Sequence, residues 1–527
     1  MDAFAELLNR LAYTPGRNAK LGLMARYFIE TPDPDRGWAL AALTDGLPFS
    51  FPIRRTMQEL MEPRVDGQLF KLSRDYVGDT AETVALLWPE ADQGGQAPRL
   101  ADMIARLELT HRSDLSDLIE GWLNQLDANG RWALLKLLTG ALRVGVSARL
   151  AKTAVAQAWD KDVSDIEEIW HALSPPYADL FRWLDGCEAR PDVSNLPVFR
   201  PLMLANPLED SDFEGLDLKA FAVEWKWDGI RVQVVVRNRA VRIFSRTGDD
   251  ISHSFPELVS AFQSDAIVDG ELLVVREGRV APFSDLQQRL NRKSVSAKMM
   301  REYPVHVRLY DVLEIDGLDL RQEDYDERRR RLAEWHRAIS PDRTDLSEEL
   351  RITDTGELQD IWSNTREAAI EGLMLKKRSS PYLAGRPKGH WFKWKRAPLT
   401  LDCVMMYAQR GSGRRSSYYS DYTFGAWRQN EAGQLELVPV GKAYSGFTDE
   451  ELMQLDKWVR NHTVDRYGPV RSVEAGMVLE VAFDSVHRSK RRKSGVAMRF
   501  PRIHRIRWDK PAEEADRLET LIDLIVE

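Results

Sequence analysis

An all-α N-terminal region, an α/β (α+β, largely antiparallel) middle domain and an all-β C-terminal barrel are the architecture this sequence predicts, and three observations predict it. Apolar residues recur at helical spacing to about residue 185. After a stretch rich in proline, asparagine and aspartate the period falls to two, and beyond residue 401 short strand-like runs alternate with turns. A chain of 527 residues is also too long for one hydrophobic core. The expected division is a helical region over 1–185, a linker over 186–216, a middle domain over 217–396 and a barrel domain over 397–527.

In the first region Phe4, Leu7, Leu8 and Leu11 share a helix face, so the start reads as a helix of the mature fold and not as a secretory leader. Leu118, Ile119, Trp122, Leu123 and Leu126 form one stripe, and Leu134, Leu135, Leu138 and Leu142 form the next. Asp127-Ala128-Asn129-Gly130 reads as the turn between them. Arg143-Val144-Gly145-Val146-Ser147 is a second interruption, ending on a serine suited to cap a helix running through Trp159. A loop of this kind can offer backbone N–H groups to phosphate, and an ordinary helix connection explains it equally well.

In the middle domain, Phe221 to Glu224, Val232 to Val236 and Val241 to Phe244 read as strands. Ile267-Val268 and Leu272 to Val275, flanking Asp269-Gly270-Glu271, read as more strand. Helical text returns at Glu323 to Ile339 and Thr355 to Ala369, and the domain ends near Lys395. Asp402 to Tyr407, Tyr422 to Trp427, Gln434 to Val440 and Met477 to Phe483 then suggest a barrel of about five strands, an OB-type architecture that commonly binds nucleic acid.

Composition narrows the class. Two cysteines, Cys187 and Cys403, supply neither a disulfide framework nor a zinc ribbon and fit a reducing cytoplasm. No apolar run reaches membrane-spanning length. The net charge of −8 argues against a polyanionic partner only until its distribution is considered, because Arg488 to Lys510 holds ten Lys and Arg against the single acid Asp509.

The chemistry centres on Glu224-Trp225-Lys226-Trp227-Asp228-Gly229-Ile230-Arg231, a lysine near a strand end followed by a turn. A lysine attacks an activated phosphate only when deprotonated, which needs desolvation or nearby positive charge. Alone, K-x-D-G is weak, and an exposed strand lysine is the better reading. The series that follows changes this: Phe244-Ser245-Arg246-Thr247-Gly248, Asp269-Gly270-Glu271-Leu272, Tyr310-Asp311, Glu371-Gly372-Leu373-Met374-Leu375-Lys376, Trp391-Phe392-Lys393-Trp394-Lys395 and Arg507-Trp508-Asp509-Lys510. Glu271 and Glu371 are oxygen donors suited to Mg²⁺, with Mn²⁺ as a substitute. Lys393 and Lys395 alternate onto one strand face, where they can stabilise an α-phosphate and depress the pKa of Lys226. Tyr310 can stack on a base.

In this order the motifs resemble those of the covalent nucleotidyltransferase superfamily. Three segments are similar to the ATP-dependent DNA ligases in particular: Pro201 to Ala205, Val440 to Phe447 and Arg499 to Arg507. Leu137 to Ser147 resembles the signature of the ligase DNA-binding domain. The resemblance implies a nucleotidyltransferase middle domain and an enzyme that seals nicks in duplex DNA through a lysyl-AMP at Lys226, with ATP as cosubstrate. It assigns Glu224 to the adenine amino group, Arg231 and Arg246 to nucleotide or nick phosphate, Glu271 to the ribose side, and Tyr310, in place of the usual phenylalanine, to adenine. Lys393 and Lys395 then belong to the α-phosphate, and Arg507 and Lys510 to the pyrophosphate. The expected DNA contacts are Arg143, Gly145, Ser147, Arg414 and Arg415, in a monomer that closes around DNA. An RNA-directed nucleotidyltransferase, either an RNA ligase or a capping guanylyltransferase, is the alternative, but it has no need of a helical DNA-binding region.

Overall fold

The computed structural model describes residues 1–525 apart from 48, 50, 52, 78, 90–96, 112, 141, 214–215, 291, 293, 353, 365–368, 397, 412–416, 431 and 490–491. It divides into two compact units. One comprises Met1–Val163, Ser174–Glu188 and Pro398–Ile525, and the other comprises Ser164–Leu173 and Ala189–Ala397.

The N-terminal part of the first unit is helical, as periodicity requires. Helix Asp2–Tyr13 buries Phe4, Leu7, Leu8 and Leu11, and helix Leu115–Gln125 buries Ile119, Trp122 and Leu123. Asp127 to Gly130 is not a free turn. The Asp127 carboxylate accepts from Gly130 N–H at 2.7 Å, so these residues are the cap and first turn of helix Ala128–Thr139. That helix ends at Gly140, whose φ of 64° terminates it, and Leu142 therefore falls outside the stripe. Ser147 caps helix Ala148–Ala158 by accepting from Leu150 N–H at 3.2 Å.

The C-terminal part of this unit is a sheet in which Leu435–Ala443, Tyr419–Gln429, Leu399–Arg410, Val478–Phe483 and Arg502–Arg507 are successive antiparallel neighbours. A hairpin, Thr463–Tyr467 with Val470–Val473, pairs with the far end of Leu399–Arg410. Helix Asp449–Asn461, with a complete capping box at Thr448 and Glu451, precedes that hairpin.

The second unit is two largely antiparallel sheets. The first runs Asn206–Pro207, Trp391–Lys395, Ile370–Lys377, Phe221–Trp227, Glu349–Leu350. The second is built on Ala240–Ser245, Ile230–Arg237, Ala266–Arg276 and Val305–Ile315. Asp269-Gly270-Glu271 lies inside one continuous strand, Ala266–Arg276.

Much of the expected linker is packed. Phe199, Leu202 and Met203 enter a core with Ala222, Tyr382 and Trp391, and Asn206–Pro207 pairs in parallel with Phe392 and Lys393. Its prolines set extended backbone here, and the apolar residues between them decide its fate. Ser164–Leu173, read as part of the helical region, belongs to this unit instead. The Glu168 carboxylate accepts from Arg321 at 2.6 Å and Arg190 at 3.0 Å, and the His171 ring lies 4.7 Å from that of Phe244.

A register shift at Ile370/Gly372 makes Glu371 a bulge in the central strand. Gly372 there has φ 148°, and a Cβ on it would stand 2.0 Å from the Trp394 carbonyl oxygen. Gly372→Ala is accordingly expected to cost about 1–3 kcal/mol of stability, as overpacking of this kind does. Denaturant unfolding equal to that of the unsubstituted protein would show that the strands tolerate the methyl group.

Candidate active site

Residues directly opposite in antiparallel strands project to the same side. Lys226 stands opposite Gly372, which stands opposite Lys395, while Glu224 stands opposite Met374, which stands opposite Lys393. One face of three strands therefore carries Glu224, Lys226, Lys393 and Lys395, and the bulge turns Glu371 onto it. Lys226 Nζ donates to Glu371 Oε2 at 2.6 Å, and Lys395 Nζ lies 3.2 Å from the same oxygen. Burial alone would raise the Glu371 carboxyl. The two ammonium groups, Lys226 first, overcome it and hold the carboxyl at about 2. Lys393 is pushed below the usual lysine range by burial and then by Arg386, Lys395, Arg246 and Lys226. Cations gathered this way, with Glu371 paired to two of them, form a surface ready for a polyanion.

The second sheet supplies the other groups. Arg231 and Glu271 are cross-strand partners, and Gly229 follows Lys226 where a Cβ would meet the Leu272 carbonyl oxygen at 2.5 Å. The glycine of K-x-D-G is thus required by the approach of the Glu271 strand. The Glu271 carboxyl is raised to about 7, by burial first, against the pull of Lys226 and Arg231 and with further help from Glu371 and Asp228. Arg231 does not reach outward: it donates to Met203 O at 2.7 Å, Asp269 Oδ2 at 2.6 Å and Tyr382 Oη at 3.0 Å. Its guanidinium carbon lies over the Tyr310 ring, 5.8 Å from its centre. Asp269, fully buried, also accepts from Tyr382 at 2.5 Å and Gln233 at 3.0 Å.

At the far end of the strand face, Glu224 accepts from the Tyr325 hydroxyl and from Lys376 Nζ at 3.1 Å. Lys376 lies 4.3 Å from the Tyr310 ring centre and 5.0 Å from that of Trp391. Sequence reasoning quoted Lys376, Asp269 and Asp311 within motifs without giving them a role, and it missed Tyr325, Tyr382 and Arg386. Tyr325 opens a predicted helix, and nothing in its spacing distinguishes it from a core aromatic.

The other expected residues lie elsewhere. Arg507 and Lys510 belong to the first unit, where both donate to Asp402 Oδ2, at 3.0 and 2.8 Å, and Arg507 also pairs with Asp509 at 2.9 Å. Arg143, Gly145 and Ser147 are exposed in the helical region. Arg246, exposed just after strand Ala240–Ser245, is the exception, since it adds to the positive field on Lys393. Arg414 and Arg415 lie outside the described residues. No group of three or more His, Cys, Asp or Glu comes together as a metal cage among the described residues. Glu271 and Glu371 remain a pair of carboxylates of the kind that holds Mg²⁺ jointly with phosphate oxygens and water.

The raised Glu271 carboxyl has a measurable sign. An acid whose folded pKa is raised contributes stability below its unfolded value and loses it as pH rises through the folded value, here about 7. Between pH 6 and 8 the Tm of the protein should therefore fall relative to that of Glu271→Gln, which stays neutral. Parallel Tm profiles would show that Glu271 is ionised throughout.

Residues 202–395 match the family model described as ATP dependent DNA ligase domain, and residues 415–510 match that of the ATP dependent DNA ligase C terminal region. A probable DNA ligase of Koribacter versatilis is 36% identical over 412 residues, spanning 73% of this chain and 70% of that protein. A DNA ligase of Methanothrix thermoacetophila is 28% identical over 561 residues, spanning 98% and 97%. The solved structure Pmar-Lig_Pre is similar in fold, with a TM-score of 0.61 at 17% identity over 96% of this chain and 99% of that one.

Proposed function

This chain belongs to the ATP-dependent DNA ligases, and from that premise we propose that Lys226 is the residue that carries AMP from ATP to DNA. The observation that carries this reading is the position of Lys226 Nζ, 2.6 Å from Glu371 and on one strand face with Lys393 and Lys395. In the first step the Nζ lone pair attacks the α-phosphorus of ATP, the bond to the bridging oxygen breaks, and pyrophosphate leaves while the amine gives up its proton. The AMP then passes to the 5′-phosphate at a nick. Attack of the 3′-hydroxyl on that phosphate closes the strand and releases AMP.

Glu371 orients the lysine, and Lys393 and Lys395 offset charge that builds on the phosphate in the transition state. Arg246, exposed and adding to the positive field on Lys393, is assigned to nucleotide or nick phosphate. Arg231 is assigned a supporting place behind Tyr310, which stacks on adenine, while Glu224 accepts from the adenine amino group. Glu271 and Glu371 would hold Mg²⁺, which when bound shares the phosphate charge. A helical region over 1–163 and 174–188, a nucleotidyltransferase domain over 189–397 that also takes in 164–173, and an OB-type domain over 398–525 are proposed as the working divisions. Arg143, Gly145 and Ser147 are the proposed phosphate contacts of the first. A monomer acting on nicked duplex in the cytoplasm is the form this reading expects.

Lys226→Ala is expected to abolish the covalent AMP adduct with α-labelled ATP while leaving nicked-DNA binding within about twofold, because Lys226 is one cation among several on this face. An adduct at unsubstituted yield would refute the assignment. Arg507→Ala or Lys510→Ala should slow adduct formation far more than sealing of a nick that already bears AMP, since pyrophosphate is present only in the first step. Equal losses on the two substrates would remove both residues from the pyrophosphate role.

A further inference from the structure

Glu224 is 2% exposed, and the two donors that reach it, the Tyr325 hydroxyl and Lys376 Nζ, both meet Oε1. Its other oxygen accepts no hydrogen bond among the described residues. Tyr325 is itself fully buried, with its ring in the core beside Ala222, Tyr382 and Trp391. It opens helix Tyr325–Ile339, and that helix is anchored one turn later. Arg328 and Asp311 are both fully buried and joined by bonds of 2.8 and 3.0 Å, and Arg328 also donates to Glu323 O at 2.6 Å and Ser380 O at 2.9 Å. The hydroxyl therefore has a fixed origin and a fixed target.

We propose that Tyr325 is a positioning residue for nucleobase selection: its O–H pins Oε1 of Glu224, so that Oε2 is the atom presented to the base. This rests on the reading of Glu224 as the group that meets adenine. An ionised carboxylate only accepts, so Oε2 pairs with the exocyclic amino group of adenine and opposes the carbonyl oxygen of guanine. A buried acceptor left facing an acceptor costs far more than a missing contact, which is how a polar site separates two bases of nearly equal shape. Without the hydroxyl, Lys376 alone holds Oε1 and the carboxylate gains freedom to turn about its terminal torsion, which is broad and two-fold. Lys226 stands two residues away and is untouched, so phosphate chemistry proceeds once ATP is seated.

The test uses the full-length protein and single-turnover adduct formation with ATP, GTP and purine riboside triphosphate, which lacks the amino group. The unsubstituted protein should prefer ATP over purine riboside triphosphate by about tenfold or more, the magnitude of one hydrogen bond to a charged group. A ratio near one would overturn the reading of Glu224 and the proposal with it. Tyr325→Phe, which removes a single oxygen, should raise the apparent KM for ATP about tenfold, leave kcat within about twofold, and bring the ratio toward one. A denaturant-unfolding midpoint close to that of the unsubstituted protein reports that the variant is folded. An unchanged KM and ratio in Tyr325→Phe would overturn the role of Tyr325 while sparing that of Glu224.

Glu224→Gln decides the matter independently of how Tyr325→Phe folds. Two donors on Oε1 require the amide oxygen there, so the amide nitrogen must face the base and the preference should shift toward GTP. If that atom is not pinned, the amide turns to present its oxygen and ATP stays preferred, which would overturn the proposal. Adding Tyr325→Phe to Glu224→Gln should bring the ATP preference back, and a preference for GTP that persists in the double variant would assign the pinning to Lys376 and overturn the role of Tyr325.

Discussion

Everything at the site depends on the register of three antiparallel strands, which aligns Lys226, Gly372 and Lys395 in one row and Glu224, Met374 and Lys393 in the next. Alternation makes each pair of functional side chains on a strand project together, and cross-strand pairing sets the rows side by side. A slip of one residue in any of the three strands would send its cations to the opposite face. The bulge at Glu371 is the one departure from alternation, and it puts a carboxylate where regular pairing would put none. Gly372 beside it meets the Trp394 carbonyl so closely that no side chain fits, so the bulge and the glycine are one device.

That register imposes an electrostatic cost. Lys226, Lys393 and Lys395 repel one another, with Arg246 and Arg386 adding to the field on Lys393. Glu371 offsets part of this by pairing with two of the lysines, which is why its carboxyl stays ionised despite burial. The remaining positive charge is uncompensated within the strand face, and a triphosphate is the complementary species. The site is thus less stable than the same strands with neutral residues would be, a strain stored where function uses it. Behind the face each buried carboxylate has its own cation: Asp269 accepts from Arg231 as well as from Tyr382 and Gln233, and Asp311 accepts from Arg328.

How much of this the sequence made legible follows from which residues report through periodicity. The strand at Lys226, the strand at Lys393 and Lys395 and the helix opening at Tyr325 all follow from spacing, because burial of one face imposes a period on the text. The closeness of Glu371 to Lys226 does not, since it is made by a bulge 145 residues away and a bulge has no period. The same holds for Asp127, where a polar-glycine run has the composition of a turn and one carboxylate hydrogen bond makes it a helix start. Ser164–Leu173 left the helical region for a reason equally silent in local text: its partners Arg321 and Phe244 lie far along the chain. Arg231 was legible as important and illegible in direction, because its partner Asp269 is recognisable as a second carboxylate of the D-G-E motif only once the two strands are paired.

On the proposed reading of Glu224 and Lys226, the two tasks of the first step are separated along a single strand. Glu224 and Lys226 are two residues apart, which in extended backbone is about 7 Å, a spacing that lets one end of the strand meet a base while the other meets a phosphate of the same nucleotide. Each end has its own support from a different part of the fold: Glu371 and the Trp391–Lys395 strand serve Lys226, and helix Tyr325–Ile339 serves Glu224. Changes at the base end can therefore alter which nucleotide is held without disturbing the lysine, while changes at the phosphate end can alter reactivity without altering selection. The rigid strand is what keeps the two in step, since it fixes their distance through backbone hydrogen bonds that neither set of side chains can lengthen.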